Sequence, residues 1–154
     1  MSEKITRRRL IAGSAGAFAA LVLPGWLPAQ RPGTPMVVYK DPSCGCCQSW
    51  VEIMRQAGFE VAVRDTSDMA SIKRRYQVGS RLLSCHTAVV AGYVIEGHVP
   101  ADLIHKLVRD KPKGLGLAVP GMPTGSPGME GSPKEAYDVL LFNPGGTTSV
   151  YARR

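Results

Sequence analysis

Three of the four cysteines in this 154-residue chain fall within four consecutive positions, Cys44-Gly45-Cys46-Cys47, shortly after the apolar run MVVYK (36–40). Sulfurs crowded into one turn cannot staple distant segments, and a Cys46–Cys47 link would be strained. The fourth, Cys85, lies far downstream in LLSCHTAVV. A disulfide framework, the ordinary reading of an even cysteine count in an exported chain, therefore fits poorly. The fold must rest on an apolar core.

The first residues bear on the compartment. Thr6-Arg7-Arg8-Arg9 leads into an uncharged, Ala- and Gly-rich stretch from Leu10 to Leu23. That stretch is too short to span a bilayer, which needs roughly 20 apolar residues. A basic start, a short apolar segment and small residues before Gln30 read as an export signal over 1–29. The paired arginines favour the twin-arginine route and a periplasmic destination. Removing 1–29 lowers the formal charge from +7 to +4, so much of the basic balance is an address. No aromatic-basic stripe follows, which argues against nucleic acid. Lys73-Arg74-Arg75 reads as a solvated helix face. The remaining residues, about 125, suffice for one domain with a modest core.

QRPGTP (30–35) reads as a linker and 36–154 as the domain. MVVYK is a buried strand. Trp50, Val51, Ile53 and Met54 recur at helical spacing, with Gly58 as the stop. EVAVRD (60–65) alternates as a second strand. SDMASIKRRYQV (67–78) predicts an amphipathic helix with Ser67 as N-cap and Gly79 as terminator. HTAVVAGYVIEGHV (86–99) predicts two strands turning at Ala91-Gly92, and PADLIHKLVRDK (100–111) a helix opened by Pro100. The result is an α/β chain in the order β-α-β-α-β-β-α, which resembles thioredoxin and glutaredoxin domains. Residues 111–133 are dense in Gly and Pro and contain Met; they predict a long loop that cannot sustain a helix or an inner strand. AYDVLLF (136–142) and the residues after NPGG supply extra strand(s).

Cys44 and Cys47 form a CxxC pair where the first strand gives way to the first helix. Unpaired backbone N–H groups there favour a thiolate. In a thioredoxin-like arrangement the loop entering the third strand faces this point. It usually carries a shielding cis-proline; here it reads Leu83-Ser84-Cys85-His86-Thr87, without proline. A thiol–disulfide oxidoreductase would use Cys44 and Cys47 and leave Cys46 and Cys85 without a role. Structural zinc prefers well-spread ligand pairs, and iron–sulfur ligation is a weaker match still. Closely packed soft thiolates suit Cu(I) best.

The segments VYKDPSCGCCQSWVE, SCHTAVVAGYVIEGHVPADLI and GLAVPGMPTGSPGME, in that order, resemble the CopG-type family of periplasmic copper-resistance proteins. The resemblance runs from Val37 to nearly the end. It implies a thioredoxin-like fold that binds copper through its CxCC and CH motifs, here Cys44, Cys46, Cys47 and Cys85. A thiolate-bridged multinuclear Cu(I) cluster is the implied cofactor. Other periplasmic copper-handling proteins are the implied partners, with no membrane span once the signal is removed.

Three further ligand candidates stand beside the cysteines. His86 follows Cys85 directly, although neighbours in an extended segment point to opposite faces. Met122 and Met129 flank PTGSPG, and a thioether binds Cu(I) without losing a proton. His98 reads as structural or capping, His105 as surface, Trp50 as packing beside the site, and Met54 and Met69 as core filler. Two function classes stay open: a module that buffers and passes on Cu(I), and an oxidoreductase acting on copper or on thiols.

Overall fold

In the computed structural model, which describes residues 33–154, strand β1 (Thr34–Lys40) buries Met36, Val38 and Lys40 in alternation. That period of two sets one strand face on a core. The export signal read over 1–29 lies outside the described residues. β1 feeds α1 (Gly45–Gln56), which returns to β2 (Phe59–Asp65), parallel to β1. α1 buries Cys47, Trp50, Val51 and Met54, the i, i+3, i+4, i+7 stripe of an amphipathic helix. Gly58, at φ +90°, closes it as the sequence predicts.

α2 (Met69–Arg75) is shorter than the predicted 67–78 helix. Asp68, not Ser67, is its N-cap: Asp68 Oδ1 accepts from Ser71 N at 3.0 Å. It ends at Tyr76, with Gln77 at φ +57°, two residues before Gly79. Lys73 also departs from expectation. It is buried and bonds Glu96, while Arg74 and Arg75 remain exposed. An amphipathic helix this short still directs one of three adjacent side chains inward.

A 3-10 turn (Ser80–Leu82) leads to β3 (Thr87–Val90), which pairs antiparallel with β1 and with β4 (Tyr93–Glu96). Ala91 and Gly92 both have positive φ, 47° and 85°, the geometry of a two-residue hairpin turn matched to strand twist. α3 (Ala101–Asp110) then crosses to β5 (Gly116–Ala118), parallel to β4. β6 (Asp138–Phe142) and β7 (Thr148–Arg153) complete a seven-stranded sheet ordered β2-β1-β3-β4-β5-β6-β7.

β5 corrects the reading of residues 111–133, because this Gly-rich piece is an inner strand between β4 and β6. The glycine is the reason. A Cβ at Gly116 would collide with the Val94 carbonyl, so only glycine permits this approach. Residues 119–137, which contain neither helix nor strand, are held by their own hydrogen bonds, among them Gly125 N to Met129 O at 2.7 Å and Glu135 N to Thr124 O at 2.9 Å.

The larger core packs Trp50, Val51 and Met54 of α1 and Leu103, Ile104 and Leu107 of α3 on one sheet face, with Met36, Val38, Ile95 and Leu117. Val78 and Leu82 cover Val94, Ala118 and Phe142 on the other. No helix of the described residues is long and apolar enough to cross a membrane.

Candidate metal centre

The turn before α1 is set by Asp41. Its Oδ1 accepts from Ser43 N at 2.8 Å and from the Ser43 hydroxyl, while Cys44 N donates to Asp41 O at 3.1 Å. These Ser43 bonds hold the Asp41 carboxyl below its ordinary pKa. The chain is thereby delivered into α1 with Cys44 at the N-cap, making no side-chain cap bond. The positive end of the helix therefore faces sulfur.

Cys44 and Cys47 are joined as a disulfide, their Cα atoms 5.4 Å apart. Cys46 and Cys85 are free. The Cys46 sulfur stands 3.5 Å from that of Cys44 and 4.0 Å from that of Cys85. All four sulfurs lie within 4.8 Å of one another. Cys47 is fully buried; the other three are partly open. Burial, reinforced by the neighbouring Cys46, pushes the Cys85 thiol up to about 12. Negative charge is hard to place here without a cation, and a bound cation reverses that, deprotonating a thiol outright. Reduction of the Cys44–Cys47 pair would expose four soft donors at one point, a set that fits Cu(I).

His98, which reads from the sequence as structural or capping, stands beside this group. Its Nε2 lies 3.0 Å from Cys85 Sγ, and its Nδ1 lies 2.7 Å from Pro127 O. A carbonyl only accepts, so the proton sits on Nδ1 and the Nε2 lone pair meets the Cys85 S–H. Burial lowers the His98 pKa, against the opposing pull of the Pro127 carbonyl. The hairpin contained the signal. β3 and β4 pair Thr87 with Glu96, and two residues further out the same register sets Cys85 opposite His98.

His86 is fully buried, with Nδ1 3.3 Å from Cys85 Sγ. Its ring lies 4.4 Å from that of Trp50 and meets that of His98 edge-on at 5.0 Å. Burial, then His98 and Lys73, holds it neutral well below its usual pKa. Its Nε2 has no hydrogen-bond partner among the described residues. Ligand atoms of Cys85, His86 and His98 also lie within 4.8 Å of one another.

The Gly/Pro loop reaches the site through its backbone. Pro127 O holds His98, and a Cβ at Gly128 would come within 2.9 Å of Cys46 O and Trp50 N. Met129, the next residue, is half-buried; Met122 is 51% exposed. Trp50 is fully buried beside the site and donates from Nε1 to Val99 O at 3.0 Å. His105 is remote from it, exposed on α3 and stacked on Phe59.

Residues 82–129 match the family model described as "Protein of unknown function, DUF411". A search of the curated proteins finds no match. Two solved structures described as copper resistance protein CopG, forms 1 and 2, are 42% and 41% identical to this chain, each with a TM-score of 0.75. The alignments cover 79% of this chain and 98% of theirs. With the CxCC and CH motifs meeting at one point on a shared fold, the chain belongs to the CopG-type copper-resistance family.

Proposed function

We propose that this chain is an exported, periplasmic copper-binding protein of copper resistance. It holds Cu(I) as cargo on the thiolates of Cys44, Cys46, Cys47 and Cys85, after an external dithiol has passed two electrons and two protons to the Cys44–Cys47 pair and itself become a disulfide. The observation that carries the reading is the convergence within 4.8 Å of four sulfurs, three from the first turn of α1 and one from the loop before β3. Four sulfurs so close can bridge ions, which makes a multinuclear site the natural form for a soft monovalent metal. His98 and His86 extend the donor set on the Cys85 side, and Met122 and Met129 offer thioethers for uptake or release. Buffering and hand-over to other periplasmic copper proteins is one form of the function; interconversion of Cu(I) and Cu(II) for such partners is the enzymatic form.

An anaerobic Cu(I) titration of the reduced protein against a strong chelator, with thiols counted before and after, tests this. More than one copper per chain, with all four thiols protected, supports it. Turnover with a defined electron donor or acceptor would separate the enzyme from the buffer. The alternative, a thiol–disulfide oxidoreductase, is favoured by one observation: a CxxC disulfide at the N-terminus of α1. It predicts no copper retention against the chelator and rapid exchange of that disulfide with an external dithiol.

A further inference from the structure

A buried polar cluster lies directly behind the Cys85 loop. Glu96, fully buried at the end of β4, accepts three hydrogen bonds. Its Oε1 takes Lys73 Nζ from α2 and Ser84 N at 2.7 Å, and its Oε2 takes the Thr87 hydroxyl at 2.6 Å. Lys73 Nζ also donates to Thr87 Oγ1 at 3.3 Å. Ser84 precedes Cys85 and Thr87 follows His86, so one carboxylate grips the chain on both sides of the Cys85-His86 pair. The same stretch is tied on its outer side, where Gly121 N donates to Leu83 O at 2.9 Å and the Ser84 hydroxyl donates to Gly121 O.

A buried ion pair is a poor source of stability, since an apolar pair of similar volume often does as well or better. An apolar pair cannot accept the Ser84 N–H. We propose that Glu96, clamped by Lys73, is a positioning residue: it fixes the Cys85 sulfur against Cys46 and His98. It touches neither sulfur nor metal and acts through the Ser84 backbone. This deepens the copper reading, on which it rests for the relevance of Cys85.

The test uses the full chain with Cys44–Cys47 kept oxidised, so that Cys46 and Cys85 are the free thiols. Dibromobimane becomes fluorescent once both its arms alkylate neighbouring thiols, and so reports the approach of Cys46 and Cys85 with no metal present. In the combined variant Lys73→Met, Thr87→Val, Glu96→Met, which leaves no unpaired buried charge and orphans only the part-buried Ser84 N–H, the melting temperature should fall by no more than several degrees. Cross-linking should slow several-fold, and Cu(I) retention by the reduced variant should weaken about 10–100-fold. A folded variant that cross-links and retains copper like the wild type overturns the proposal. If that variant does not fold, the double variant Lys73→Met, Glu96→Met, which keeps Thr87 but removes the acceptor of Ser84 N, decides by the same cross-linking readout: slowing supports the role, and an unchanged rate overturns it. If the wild type retains no Cu(I), the copper reading fails while the metal-free arm still judges the positioning.

Discussion

Cys85 Sγ lies 3.0 Å from His98 Nε2, and the His98 ring is oriented by its own Nδ1–H on the Pro127 carbonyl at 2.7 Å. Sulfur, imidazole and loop backbone thus form one chain of contacts, joining the β3–β4 hairpin to the Gly/Pro loop. Cys85→Ser removes one of the four clustered sulfurs and, on the proposed function, should abolish tight Cu(I) retention. His98→Ala should weaken it about 10–100-fold, the scale of a group that orients or supplements a ligand. His105→Ala, on the exposed face of α3, should change nothing. Chelator competition on the three variants checks the ranking.

Gly128 adopts φ +82° and brings the loop backbone against Cys46 O and the Trp50 backbone. Gly128→Ala should strain the left-handed conformation by about 1–2 kcal/mol and lift the loop from α1. Loss of the Pro127–His98 bond should then appear as a changed His98 ring resonance in NMR and faster Cu(I) loss to a chelator.

Trp50 carries both packing and a buried hydrogen bond. Trp50→Ala should destabilise the fold by about 3–5 kcal/mol through its cavity. Trp50→Phe should cost less, chiefly the unsatisfied Val99 carbonyl, about 1–3 kcal/mol. Urea unfolding of the metal-free protein measures both.

His86 is buried neutral, its folded pKa well below the ordinary 6.5. Below that value the unfolded chain takes up a proton that the folded chain refuses. Metal-free stability should therefore fall on acidification through pH 6.5, by about 1.4 kcal/mol per pH unit for this one residue. His98, lowered in the same direction, adds to the slope. His86→Phe should flatten the dependence of the urea midpoint on pH between 7 and 5; an unchanged slope would assign it to other groups.

The element order was legible in the chain, because hydrophobic period and turn residues are local signals; the meeting of Cys85 with Cys44, Cys46 and Cys47, which joins residues 39 apart, followed only from the resemblance of that order to the thioredoxin arrangement. His98 was not read as a site residue, because it becomes Cys85's neighbour only through the register set by the turn at Ala91-Gly92. Lys73 sits in a basic triplet whose local pattern says solvent, and only Glu96, 23 residues away and buried in β4, explains its burial. β5 was obscured by composition: Gly116 looks like a breaker until the Val94 carbonyl is seen where its Cβ would be. In each case the missing information was a partner from another element.

In the proposed function four sulfurs share copper. Copper K-edge X-ray absorption on the anaerobically Cu(I)-loaded protein reads that sharing from the copper itself. The first shell should be dominated by sulfur, with a copper–copper scatterer that disappears in Cys85→Ser. A first shell of nitrogen and oxygen alone, or a sulfur shell with no copper–copper scattering at full loading, would rule out a copper site shared by the four sulfurs.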